Sequence, residues 1–372
     1  MNRRQLMLSS ALAIAARRVS GQTQQPQDSP ENFRLKDYHP QSIYRVPKTD
    51  IKRAKYPIVD VHCHGARPIG QLDEMVKVMD AVGVEKTVIF TSANSADRLT
   101  ETRQIYSKYP SRFDLWCSFD LAGPNAVKAL EDCHRAGAVG VGEISDKGFG
   151  FRSGGGFRRG SSAPPPAPGP HADDPRMDPL WDKCAQLGMP VNIHVSDPIW
   201  SYQPMDLHND GLMNGYTWRI DDKQPGILGH NGLIESLERA TQKHPKTVFI
   251  ACHLANLDYD LTRLGQMFDR NPNLYADISA RFAETAPIPR FVNQFLQKYP
   301  DRVLYGTDMA YTQRMFSTTF RILESNDEHF YEQDLNFNFD YHWPLYGLGL
   351  PDPLLKKVYR DNALRAFRQA VS

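Results

Sequence analysis

The chain has 372 residues with 41% hydrophobic content, enough to bury a large core, and α/β barrels run as one domain at this size. Lys and Arg number 44 against 43 Asp and Glu, a balance that offers no electrostatic footprint for nucleic acid or an anionic membrane surface. A small-molecule substrate is therefore expected and nucleic-acid partners are not; homo-oligomerisation is left open.

The chain opens "MNRRQLMLSSALAIAARRVSGQ", in which Arg3 and Arg4 precede an apolar run, residues 6–16, too short to span a bilayer. Residues 1–21 resemble a twin-arginine signal, which implies cleavage near Gly21 and export to the periplasm; as a basic helical extension the same segment would leave the protein cytoplasmic. Residues 22–55 read as an N-terminal extension and residues 56–372 as the catalytic-scale domain. No later segment is long and apolar enough for a transmembrane anchor. Five cysteines give no disulfide framework. Strand alternation puts Cys63 and Cys252 on the face opposite their neighbouring histidines, which makes both poor metal ligands.

From "PIVDVHCHG" onward strand and helix patterns alternate. The first strand is followed by the helical "QLDEMVKVMDAVGV", then by the strand "KTVIFTS", a helical stretch over 97–108 and the strand "FDLWCSFD". A helix around 125–136 precedes "AVGVGEIS"; "MDPLWDKCAQLG" precedes "PVNIHVSD"; "GLIESLERATQKH" precedes "TVFIACHLAN". "DLTRLGQMFDR" leads to "LYADISAR", and "RFVNQFLQKYP" to "RVLYGTD". Eight strands with helical patterns between them predict an α/β fold, a (β/α)8 TIM barrel with long βα-loop insertions. No Gly-x-Gly-x-x-Gly follows the first strand, so a nucleotide-binding sheet gains no support.

Three connections exceed ordinary βα-loop length. Residues 146–175 are rich in Gly, Ser and Pro and are expected to be mobile, attached where they could cover the end of the fourth strand. Residues 198–226 carry Trp200, Tyr202, Tyr216 and Trp218, either an ordered cap lining a pocket or a self-contained loop core. Residues 310–353, with His342 and Trp343, are placed to complete the wall.

Barrel enzymes carry their chemistry at the C-terminal ends of the strands, which closure brings around one axis. Those ends hold His62 and His64 on one strand face, then Glu143, His194, His253 and Asp308. Singly, His194 reads equally well as a core histidine, Glu143 as a salt-bridged strand end and Asp308 as a helix cap. Jointly they predict a metal site, since every one is an imidazole or a carboxylate.

The motifs "DVHCHG", "NIHVSDP", "FIACHLAN" and "LYGTDMA" resemble those of the amidohydrolase superfamily, in the amidohydrolase-related branch of hydrolases, lactonases and non-oxidative decarboxylases, from about Tyr56 to the C-terminus. The resemblance implies one or two divalent ions, usually zinc, with His62, His64 and His194 as ligands and Asp308 as ligand and proton acceptor. His253 is implied either as a ligand to a second ion or as an acid that steadies developing charge. Glu143 stands where many two-metal members carry a carboxylated lysine.

The chemistry expected is hydrolysis, with water activated for attack on an amide, ester or lactone and Asp308 taking its proton. Non-oxidative decarboxylation is the alternative, and an exported metal- or ligand-binding protein without turnover a lower one. Arg281 is placed to grip a substrate carboxylate, or to pair with Glu284 instead. Asn192 and Asn256 are expected to orient the substrate through hydrogen bonds.

Overall fold

The computed structural model describes residues 29–65, 69–91, 93–151, 168–332 and 341–371, with 69 and 70 in backbone only. The expected signal, residues 1–21, lies outside them, as does the middle of the Gly- and Pro-rich connection. The chain divides into two units, Met1–His39 and Pro40–Ser372, so the division falls before residue 56. The described part of the first unit holds two single 3-10 turns, Pro30–Asn32 and Leu35–Asp37. No helix among the described residues is long and apolar enough to cross a membrane.

The second unit is built on eight parallel strands in sequential order: β1 Ile58–Cys63, β2 Val84–Phe90, β3 Phe113–Cys117, β4 Gly140–Asp146, β5 Val191–Val195, β6 Phe249–Ala251, β7 Leu274–Asp277 and β8 Val303–Leu304. Val61 N–H donates to Tyr305 O at 3.0 Å and Asp308 N–H to His62 O at 2.9 Å, which brings the last strand back to the first. The result is the TIM barrel that the strand and helix alternation predicts. Helices fill the connections: α1 Ile69–Val82, α2 Ala96–Tyr106, α3 Ala126–Arg135, α4 Asp178–Leu187, α5 Leu212–Trp218 and α6 His230–Lys243. They continue as α7 Leu261–Arg270, α8 Phe282–Thr285, α9 Pro289–Lys298, α10 Gln313–Glu324, α11 Asp352–Lys356 and α12 Asn362–Ala370.

Local chemistry explains where these helices start and which face they bury. Ser95, Asp260 and Thr312 each accept a backbone N–H three residues on, so α2, α7 and α10 begin on side-chain caps. In α6, Leu233, Ile234, Leu237, Ala240 and Thr241 recur at helical spacing and are buried. The strands are short and almost wholly buried, as a parallel sheet covered by helices requires.

Two strands end earlier than the sequence pattern suggests. β6 stops at Ala251, and His253, Leu254, Ala255 and Asn256 then turn through left-handed backbone, with φ of 58°, 54°, 57° and 53°. β8 is a two-residue strand, after which Gly306 lies against β1 so closely that a Cβ there would come within 2.9 Å of His62 Cβ. Strand alternation therefore cannot be extended past Ala251, and the expectation that Cys252 faces away from its neighbouring histidine is corrected below.

Asp60 joins the two sides of the closure. Its Oδ1 accepts the N–H groups of His62 (3.1 Å) and Thr307 (3.0 Å), and its Oδ2 accepts the Thr307 hydroxyl at 2.8 Å. Burial pushes this carboxyl up to about 7 against those donors. Asp60→Ala leaves two buried N–H groups without their acceptor and the Thr307 hydroxyl with the His62 carbonyl at 3.1 Å alone. The expected loss of stability is roughly 3 kcal/mol or more, read as a lowered urea midpoint; an unchanged midpoint would show that the closure does not depend on this side chain.

Candidate active site

The strand ends deliver the expected residues to one place. His64 Nε2 lies 3.3 Å from Glu143 Oε2 and 3.2 Å from Asp308 Oδ1, and His62 Nε2 lies 3.6 Å from the same Asp308 oxygen. His253 Nε2 is 3.6 Å from Glu143 Oε1 and 3.7 Å from Asp308 Oδ2. Two sets of ligand-type atoms fall within 4.8 Å of one another, His62 with His64 and Asp308, and His62 with Glu143, Cys252 and His253. His194 enters neither set. Its Nδ1 is 2.7 Å from Glu143 Oε1 and its Nε2 is 3.6 Å from Asp197 Oδ1, so the ring stands between two carboxylates.

Hydrogen bonds decide which imidazole nitrogens face the centre. His62 Nδ1 is 3.1 Å from Asp277 Oδ2, an acceptor, so this nitrogen carries a proton and Nε2 is the nitrogen left to ligate once the ring is neutral. That Nε2 is buried without a hydrogen-bond partner. His253 Nδ1 lies 2.9 Å from the carbonyl oxygen of Ser279, which fixes the same tautomer and turns its Nε2 toward Glu143 and Asp308. A divalent cation fits this donor set: imidazole nitrogens and carboxylates converge on a point where the buried His62 Nε2 has no hydrogen-bond partner, and an ion there would take the place of its proton.

The charges respond to that crowding. Burial opposes ionisation of Glu143, but His194, His253 and His64 hold it well below the usual carboxylate range. Asp308 is likewise lowered against burial by His62, His64 and His253. Burial would lower His62, yet Asp308, Asp277 and Glu143 raise it to about 10. Burial lowers His253, with the neighbouring His194 and Arg281 adding to it.

The other predicted site residues are placed in support. Asn192 is fully buried, donates to Asp277 Oδ2 at 3.1 Å and accepts the Cys252 thiol at 2.7 Å. Asn256 donates to Val195 O at 2.9 Å and accepts from Arg281 Nη2. Arg281 is buried, with Nε 3.4 Å from Asp258 and Nη1 3.7 Å from Glu284, and Glu284 in turn accepts the Tyr341 hydroxyl at 2.7 Å. These side chains are engaged by protein partners.

Two long connections meet over this wall. Trp200 and Trp343 lie 5.6 Å apart between ring centroids, Asn214 on α5 donates to the Tyr341 hydroxyl at 3.1 Å, and Trp343 donates to Ala283 O at 2.9 Å. Tyr202 lies 2.9 Å from Ser196 Oγ, which is also 2.6 Å from His230 Nδ1 at the start of α6. In the first connection, Asp146 accepts the N–H groups of Gly148 and Gly150 and sits 2.7 Å from His171 Nδ1, so its described flanks are tied together. His64 opens onto two cavities of about 410 and 350 Å³, the first also lined by Asp308, of a size for a small molecule.

A family model described as Amidohydrolase matches residues 59–369. The chain belongs to the amidohydrolase family. No curated protein matches it. Among solved structures, an uncharacterised TIM-barrel protein from Bordetella bronchiseptica superposes with a TM-score of 0.53 at 16% identity, covering 85% of this chain and 100% of its own. A candidate amidohydrolase from Staphylococcus aureus follows with 0.52 at 14% identity, covering 84% and 99%. At such identities these neighbours bear on the fold alone.

Several residues of this amidohydrolase site went unseen in the sequence. Asp277 ends β7 as Glu143 and Asp308 mark their own strands, and the strand-end rule that points to those two carboxylates points to it as well. Lys147 pairs with Asp197 at 2.7 Å, and Ser279 lies 3.1 Å from His62 Nδ1 and 2.9 Å from His253 Nδ1; no motif flags either.

Asp277→Asn removes the charge that holds the His62 tautomer, although burial opposes that charge and His62 is what keeps it ionised. Zinc affinity measured by equilibrium dialysis should fall about 10- to 100-fold with the fold retained; unchanged affinity would remove His62 from the ligand set. A second expectation concerns pH. Burial and the Arg263 charge hold His230 at about 4, below its ordinary 6.5. The unfolded chain therefore takes up this proton first, so the stability present above 6.5 is lost as pH falls toward 4, by about 2 kcal/mol between about pH 8 and about pH 5. His230→Gln should show that much less acid destabilisation in urea melts, and equal slopes for the two proteins would refute it.

Proposed function

We propose that the protein is a metal-dependent hydrolase that cleaves a C–N or C–O bond in a small amide, ester or lactone. The carrying observation is the convergence of His62, His64, Glu143, His253 and Asp308 around the unpartnered His62 Nε2. His62, His64 and Asp308 would hold a divalent ion, zinc first, with Glu143 and His253 completing that position or a second one. When bound, such an ion supplies the Lewis acidity that lets water attack a carbonyl near neutral pH.

The remaining work belongs to the chain. Asp308 faces His62 and His64 with Oδ1 and His253 with Oδ2, so one carboxylate both completes the cluster and stands ready to take a proton from water and pass it to the leaving group. Glu143 is held by His194 from behind, which keeps its other oxygen toward His64. His253, neutral and with its Nδ1–H bound to Ser279 O, offers a lone pair at Nε2, which favours the ligand role over that of a hydrogen-bond donor to a developing oxyanion.

Hydrolysis is favoured over decarboxylation because Arg281, the cation expected to grip a substrate carboxylate, is already shared by Asp258 and Glu284. A carboxylate could reach it only by displacing one of them. The twin-arginine-like start, residues 1–21, extends the proposal to a periplasmic site of action on sequence alone.

Asp308→Asn should keep most of the bound metal, measured by elemental analysis, and lose at least about 100-fold in rate, since the amide can offer an oxygen but cannot accept a proton near neutral pH. His62→Ala and His64→Ala should lower metal content itself. The assay is acid release from a panel of esters, lactones and amides with and without zinc, beside carbon dioxide release from aromatic acids. Carbon dioxide release alone would reassign the protein as a decarboxylase, and a full rate in the Asp308→Asn protein would return Asp308 to a helix cap.

A further inference from the structure

Cys252 stands where the alternation of β6 breaks. It follows the last strand residue and precedes the left-handed turn that begins at His253, and its buried thiol donates to Asn192 Oδ1 at 2.7 Å. Its sulfur consequently lies with the ligand-type atoms of His62, Glu143 and His253, all within 4.8 Å of one another. Two nitrogens face that group: His62 Nε2, buried and without a hydrogen-bond partner, and His253 Nε2, 3.6 Å from Glu143 Oε1.

This inner set and the outer set of His62, His64 and Asp308 share His62. With Nδ1 engaged by Asp277, His62 has one nitrogen to give, and one nitrogen serves one ion at a time. The two sets are therefore alternative seats. The outer one, where the His64 side chain is half exposed, offers nitrogen and oxygen only; the inner one adds sulfur and is buried but for Glu143, which reaches solvent.

We propose that Cys252 is a metal ligand, and that the inner seat of His62, Glu143, Cys252 and His253 competes with the outer seat for thiophilic divalent ions such as zinc, while harder ions are left to the outer seat. The proposal rests on the metal-dependent reading given above. Two imidazoles, a carboxylate and a thiolate make a mixed set of the kind zinc and cobalt(II) accept, whereas magnesium and manganese prefer oxygen. On coordination the thiol loses its proton to solvent and the sulfur lends an electron pair to the ion, so no oxidation state changes. Cys63 offers no such place: its sulfur accepts the Gly65 N–H at 3.3 Å and its side chain packs in the main hydrophobic cluster.

The test is titration of the metal-stripped full chain with cobalt(II), followed by absorption and by dialysis. A near-ultraviolet sulfur-to-cobalt charge-transfer band should grow in with bound cobalt. Cys63→Ala should retain it. Cys252→Ser should lose it while still binding cobalt, at least about tenfold more weakly. Should the serine protein not fold, X-ray absorption at the cobalt edge of the wild-type chain gives the same reading through a sulfur neighbour. Bound cobalt with no band or sulfur neighbour, or a band that survives Cys252→Ser, would overturn the assignment and leave the hydrolase reading standing. Failure of the wild-type chain to bind cobalt at all would overturn both.

Discussion

A buried carboxylate at the end of β7 organises the centre of this barrel. Asp277 is wholly removed from solvent and accepts from His62 Nδ1 on β1, Asn192 Nδ2 on β5, the His253 N–H after β6 and the Ser279 hydroxyl after β7. A charge in that position is costly unless every lone pair is met. Meeting them sets the tautomer of His62 and anchors the turn that carries His253. The position of the cluster thus follows from satisfying an anion that touches His62 but neither His64 nor Asp308.

The same economy of partners shapes the wall beyond His253. Arg281 brings a second buried charge, and its guanidinium draws Asp258 and Glu284 inward; Glu284 then takes the Tyr341 hydroxyl, and Tyr341 takes Asn214 from α5. Burial pushes Glu284 up to about 7, with Arg281 opposing, so the group is not a simple excess of negative charge. Two long connections are tied to each other through this chain of polar contacts and through the Trp200 and Trp343 rings. Their order is a property of the wall they cover.

How far the sequence reveals this depends on which rule governs each residue. The barrel and five members of the cluster, His62, His64, Glu143, His253 and Asp308, follow from the strand and helix alternation together with the C-terminal-end rule, which needs only approximate strand ends. His194 satisfies the same rule; its ring stands between Glu143 and Asp197, and its Nε2, like that of His62, is buried without a hydrogen-bond partner, a placement that has no periodic signature. Arg281 and Glu284 were legible as a pair, but not their burial or the tyrosine that reaches them from residue 341. Long-range partners of buried charges are set by tertiary packing, which one sequence does not display.

The turn after β6 marks the limit of pattern reading most clearly. Four consecutive non-glycine residues, His253 to Asn256, adopt positive φ, a conformation that costs energy in each and that "HLAN" does not announce. Three contacts hold it in place: the His253 N–H to Asp277, the His253 ring to Ser279, and the Asn256 amide to Val195 O. Because the turn begins immediately after Cys252, a residue assigned by alternation to the far face joins the site instead. Strained backbone held by a buried anion is thus what allows a short strand to present an imidazole and a thiol to the same point.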